Sequence, residues 1–146
     1  MKMTINFDMD GTIADLYGVD NWLDMLINFD ETPYAIAKPL IKLNVLARML
    51  NKLQKQGYKL AVISWLSKNS TCEYDEKVKA AKLQWLQKHL PSVSWDRITI
   101  VKYGTPKETF CETPFDILFD DEEQNRKNWS GVAFDVNDIL GMLKTF

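Results

Sequence analysis

The sequence predicts an α/β fold in which parallel strands are joined by crossover helices, and three observations predict it. Short apolar runs alternate with longer amphipathic segments along the whole chain, the rhythm of strand and crossover helix. The middle runs, Leu60 to Ile63, Ile98 to Val101 and Ile117 to Phe119, are nearly all apolar, as strands buried on both faces are. The segments before Leu60 and between Ile63 and Ile98 carry apolar residues at spacings of three and four, which only a helix places on one side.

The first strand is Met3 to Phe7, although Thr4 and Asn6 put polar groups at alternate positions of a strand expected to be central. Residues 17–40 are too many for a tight connection. Trp22, Leu23, Met25, Leu26, Ile27 and Phe29 read as helical, with Pro33 and Pro39 beyond, so a small, mainly helical insertion is expected over the end of the first strand. A helix follows through Val45, Leu46, Met49, Leu50 and Leu53, and Gly57 stands where a left-handed cap would end it. After the strand Leu60 to Ile63, a helix from about Glu76 to Leu90 presents Val78, Ala81, Trp85 and Leu86 on one face and stops before Pro91. Strands at 98–101, 117–119 and 132–134 complete the set, and the charged run Glu122 to Lys127 reads as a solvated helix face. Asn137 or Asp138 is expected to cap a last helix carrying Ile139, Leu140 and Leu143.

At 146 residues with 46% apolar content, a single domain spanning 1–146 with one core is expected. The 18 basic and 20 acidic residues leave a net charge of −2, so no basic field gathers a nucleic acid polymer or an anionic membrane. Without an apolar leader or span, a soluble, cytoplasmic protein is expected, as monomer or homodimer. Cys72 and Cys111 lack CxxC spacing and read as bystander thiols. His89, the only histidine, reads as a helix-end residue.

The chemistry concentrates in Asp8-Met9-Asp10-Gly11-Thr12, directly after the first strand, and in Asp120-Asp121, directly after the run Ile117 to Phe119. The carboxyl ends of parallel strands form the ligand-binding edge of an open sheet, so four carboxylates are expected to meet there. At about 4 Å and an effective dielectric near 20, each like-charged pair repels by roughly 4 kcal/mol. A cluster of that kind calls for a cation, and oxygen ligands without histidine or thiolate call for a hard one, Mg²⁺. Ser64 closes its strand with a hydroxyl, and either Lys102 or Lys107 can neutralise a phosphate beside the nucleophile.

This ordered set resembles the haloacid dehalogenase superfamily, and the wording around Asp8 to Asp15 and Ile117 to Asp121 is similar to its 5'(3')-deoxyribonucleotidase branch. The insertion here is shorter than that branch's cap, and Ser64-Trp65 stands where the branch carries Thr-Ser. The resemblance implies a Rossmann-like three-layer domain with strand order 5-4-1-2-3, in which Gly11 to Tyr17 forms a squiggle and flap and residues 17–40 a reduced cap. It selects Lys107 over Lys102, and it makes Asp121 a direct metal ligand with Asp120 behind it. The expected metal site is thus Asp8, the backbone carbonyl of Asp10, Asp121 and Asp120. The implied activity is Mg²⁺-dependent hydrolysis of a small phosphate monoester, a nucleotide in the finer reading. Asp8 is the expected nucleophile and Asp10 the general acid and base, while Ser64, Lys107 and the Gly11 amide hold the phosphoryl group. Tyr17, Trp22 and Trp65 are expected to stack on a flat leaving group, Asp15 to cap the squiggle, and Asn125 to order the metal's surroundings. The alternatives are a phosphotransferase or phosphomutase, a receiver-like phosphoacceptor domain, and a non-catalytic phosphate-binding protein.

Overall fold

The computed structural model describes residues 3–146. The chain begins with β1 (Thr4–Phe7), followed by β2 (Ala14–Asp15), α1 (Trp22–Ile27), α2 (Thr32–Ile36) and β3 (Lys38–Pro39). It continues with α3 (Leu43–Lys55), β4 (Lys59–Trp65), α4 (Cys72–His89), β5 (Arg97–Val101) and β6 (Ile117–Phe119), and closes with α5 (Glu123–Asn128), β7 (Val132–Phe134) and α6 (Ile139–Leu143). Five strands form a parallel sheet in the order β5-β4-β1-β6-β7. Counted over every strand this is not 5-4-1-2-3, because the second and third strands of the chain are two-residue pieces that pair with each other in a separate antiparallel sheet. Within the parallel sheet, β1 holds the centre.

The helices form where periodicity and caps coincide. α3 buries Leu46, Leu50 and Leu53, each worth about 1.5–3 kcal/mol when removed from water. It ends in a Schellman cap: Gly57 sits at φ +101°, its amide donates to Gln54 O, and the Tyr58 amide reaches back to Leu53 O. α4 starts a turn earlier than its apolar spacing indicates, because Thr71 Oγ1 accepts from the Tyr74 amide. The last helix also differs from expectation, since the side-chain cap is Asp135, whose Oδ1 accepts from Val136 and opens a 3₁₀ turn before α6.

The two faces of the sheet are unequal. Ile5, Phe7, Leu60, Val62, Ile117 and Phe119 point one way and pack with the apolar faces of α3, α4 and α6 as the principal core. The other face has a smaller cluster of Ile63, Leu118 and Trp129. One polar position of β1 is explained there: the Asn6 side chain donates to Ile117 O and accepts from Arg97, and the backbone amide of Thr4 donates to Asp116 Oδ1. The insertion is tied at its base by β2 and β3 and docks on α4 through a cluster that includes Tyr34, Tyr74 and Val78. Among the described residues, no helix is long and apolar enough to cross a membrane.

Candidate active site

The register of the sheet assembles the site. Phe7 lies opposite Phe119 across the β1–β6 pairing, and the Asp8 amide continues the ladder by donating to Phe119 O. Asp8 and Asp120 therefore leave neighbouring strands side by side, at the strand spacing of about 4.8 Å. Beyond Asp8 the chain coils into one tight turn in which the carbonyl of Met9 accepts from the amides of Thr12, Ile13 and Ala14. Gly11 takes φ +79° inside this turn, and a β-carbon on it would stand 2.8 Å from Asp121 Cγ. Only glycine lets the late acidic pair approach the early one so closely.

Carboxylate oxygens of Asp8, Asp120 and Asp121 all fall within 4.8 Å of one another. Asp8 Oδ1 accepts from Lys107 Nζ at 2.8 Å, and its Oδ2 accepts from the Thr12 hydroxyl at 2.8 Å. The same ammonium bridges to Asp120 Oδ2 at 2.8 Å. Burial alone would lower the Lys107 pKa, but the charges of Asp8 and Asp120 reverse that and hold it above its ordinary value. Asp120 is fully buried and further engaged by Asn125 Nδ2 at 3.2 Å and the Glu122 amide at 3.0 Å. Burial, then the charge of Asp8, raises its pKa to about 6. Asp121 is less enclosed, and burial followed by the charge of Asp8 pushes it to about 8.

The donor set fits a divalent cation. The oxygens are all carboxylate, no histidine or cysteine joins the cluster, and a single lysine does not balance three negative groups at this separation. Asp120 is the most heavily engaged, with three donors on its two oxygens against two on Asp8 and one, at 3.4 Å, on Asp121, so Asp121 and then Asp8 are the members best able to ligate directly.

A cavity of about 490 Å³ opens above these groups. Asp8, Asp10, Lys107, Asp120 and Asp121 form its acidic end, and Tyr17, Trp22, Leu26 and Tyr34 of the insertion face Trp65 and Tyr103 across it. Tyr17 and Trp22 meet edge to face at 4.9 Å. The Trp65 indole donates to Thr105 O, packs on Tyr103, and lies 5.2 Å from Lys107 Nζ. Burial and, next, the charge of Asp10 hold the Tyr17 and Tyr34 phenols above their ordinary pKa, so both stay protonated donors.

Not every expected residue reaches the cavity. Ser64 is fully buried and accepts from Lys82 Nζ at 2.6 Å instead of lining the opening. The reason is the pleat: Val62 lies opposite Phe7 and points into the principal core, and Ser64, two residues on, points the same way, towards α4. The Gly11 amide donates to Ala14 O, so it already has a partner. Lys102 is exposed and lines a different, shallower depression beside Lys79. Asp15 caps the turn at Gly18, as its position implies.

Two residues went unassigned from the sequence. Thr12 lies inside the first motif, where its hydroxyl spans Asp8 at 2.8 Å and Asp121 at 3.4 Å. Lys82 sits on the apolar face of α4 and bonds Asp10 Oδ2 at 2.8 Å. Burial raises the Asp10 pKa against the opposing charge of Lys82. The helical spacing of Lys82 with Val78 and Trp85 was the one available signal, since a lysine at a core-facing position needs a partner.

No family profile matches the sequence, and no curated protein matches it. Solved structures do. The chain is similar to one in the structure of a Pnkp1/Rnl/Hen1 complex, at 19% identity and a TM-score of 0.57 over 93% of its length, and it spans 45% of that chain. It is also similar to D,D-heptose 1,7-bisphosphate phosphatase from Burkholderia thailandensis, at 15% identity and a TM-score of 0.53, covering 86% of this chain and 70% of the other. At such identities the likeness is one of fold alone, an α/β architecture with a central parallel sheet.

Proposed function

We propose that the protein is a haloacid dehalogenase-type phosphohydrolase that removes phosphate from a small monoester by way of an aspartyl-phosphate on Asp8. One observation carries the reading: three carboxylates with oxygens within 4.8 Å of one another, two of them, Asp8 and Asp120, bridged by the buried Lys107 ammonium, at the acidic end of a cavity. Uncatalysed hydrolysis of a phosphate monoester is so slow that accelerations of up to ~10²¹ are required, and positioning must act together with charge stabilisation.

A carboxylate oxygen of Asp8 attacks phosphorus while Lys107 and Thr12 keep the side chain aligned for an in-line approach. As the phosphorus–ester oxygen bond breaks, Asp10 gives its proton to the departing oxygen and the alcohol leaves. Burial favours the protonated form that this step needs. Water then attacks the aspartyl-phosphate and surrenders a proton to Asp10, which releases inorganic phosphate and restores Asp8. A Mg²⁺ ion held by Asp8 and Asp121, with Asp120 behind them and the Asp10 carbonyl nearby, would polarise a phosphoryl oxygen and offset the repulsion between phosphate and nucleophile.

The finer reading is a nucleotidase-like preference. The cavity has the volume for a nucleoside monophosphate, and Tyr17, Trp22 and Trp65 offer flat surfaces on which a base could stack. The insertion acts as a cap that shields the reacting phosphate. Phosphate release from nucleoside monophosphates, sugar phosphates and an aryl ester in the presence of magnesium is the test. Wild-type protein is expected to turn over at least one of them, and Asp8→Asn to fall by at least about 10³-fold with an unchanged circular dichroism spectrum. Retained turnover in Asp8→Asn would remove the proposal.

A further inference from the structure

Lys82 lies in the middle of α4 on the same face as Val78, Trp85 and Leu86, and its side chain is 1% exposed. A buried ammonium has lost its water and needs an acceptor for each of its three N–H groups. It has three: Asp10 Oδ2 at 2.8 Å, Ser64 Oγ at 2.6 Å and Trp65 O at 2.7 Å. The Tyr34 ring covers it, 4.9 Å from Nζ. Asp10, Trp65 and Tyr34 line the cavity and Lys82 does not, so the cation acts on the site through these neighbours, and Asp10 is the one carboxylate among them. For packing alone, an apolar side chain of similar length would serve without partners.

We infer that Lys82 is a positioning residue for Asp10: it pins one carboxylate oxygen to the end of β4 and leaves the other presented to the ester oxygen that departs. The inference rests on the phosphohydrolase reading above and adds to it the device that aims the general acid. Asp10 is the group that exchanges a proton, first with the leaving group and then with water. Without the pin, the carboxylate turns about its Cβ–Cγ bond and proton delivery loses its direction. The loss scales with the basicity of the leaving group, because a phenolate needs the proton more than a nitrophenolate does.

Phenyl phosphate and p-nitrophenyl phosphate have nearly the same shape and differ mainly in that basicity. In magnesium, Lys82→Met is expected to lower kcat on phenyl phosphate by about 30-fold or more and on p-nitrophenyl phosphate by less than about fivefold, with KM for both within about threefold of wild type. Equal losses on the two esters, or none on either, would overturn the inference. If the single variant does not fold, Asp10→Asn/Lys82→Met removes both charges together and is compared with Asp10→Asn on the nitrophenyl ester. Agreement within about threefold supports a role exerted through Asp10. A further loss of about tenfold, or a double variant that also fails to fold, refutes it. Asp8→Asn, assayed alongside, separates the two claims. Its retained activity, or no wild-type turnover of either ester, defeats the underlying reading, whereas an inactive Asp8→Asn with equal Lys82→Met losses defeats this inference alone.

Discussion

Gly11 shows how much of the site hangs on one missing side chain. Its φ of +79° is unfavourable for an L-residue by about 1–2 kcal/mol, and a β-carbon there would collide with the Asp121 carboxylate and stand 2.9 Å from Tyr17 Cε2. Gly11→Ala is expected to cost about 1–3 kcal/mol of stability in a denaturant titration. It should also lower turnover by at least about tenfold, because the displaced carboxylate belongs to the acidic cluster. Loss of stability without loss of activity would separate the strain from the site. Asp8, Asp10, Asp120 and Asp121 were legible at this scale, because a carboxylate that directly follows an apolar run has few destinations other than the sheet edge. Lys82 was not, since a lysine in an amphipathic helix ordinarily reaches water, and only the packing of α4 over Asp10 shows that this one does not.

At the scale of elements, Asp116 joins the start of β1 to the turn that enters β6. Its carboxylate accepts from the amides of Thr4, Glu112 and Thr113 and from the Thr113 hydroxyl. Burial alone would raise its pKa, but these donors outweigh burial and lower it. A carboxylate whose folded pKa lies below its unfolded value contributes stability that is present above the unfolded pKa, about 3.9, and lost as pH falls through the folded one. Asp116→Asn is therefore expected to melt lower than wild type at pH 7, by about 1–3 kcal/mol. The gap should narrow as the pH is taken below about 4, which melting curves across an acid series would check. A constant gap would mean that the side chain's shape matters and its charge does not. The strands and the long helices were readable because period and caps agreed. The pairing of β2 with β3 was not, since two-residue strands carry no periodicity and exist only because the insertion closes on its own base.

The whole molecule places negative groups from its two ends around one point, and a folded state of that kind is expected to gain from a cation that the unfolded chain cannot hold. At a Mg²⁺ concentration about 100 times the dissociation constant, the gain is about 2.7 kcal/mol. For a chain of this size that raises Tm by about 6–10 °C. Scanning calorimetry with magnesium, then with chelator, would read it, and Asp121→Asn should lose most of the shift. An unchanged Tm at millimolar magnesium would count against the ion.

The sequence by itself determined the α/β class, the sheet edge at which the acids emerge, and the oxygen-only character of the cluster, because apolar periodicity and strand ends are local properties. Only the tertiary structure decided which face each strand residue presents, and with it that Ser64 turns to Lys82 and away from the cavity. It also decided how closely Asp121 approaches Gly11, and that Asp10 is held by a cation from a helix 72 residues further along the chain. Strand register and helix packing are properties of pairs of segments, and no window of a single chain contains both members.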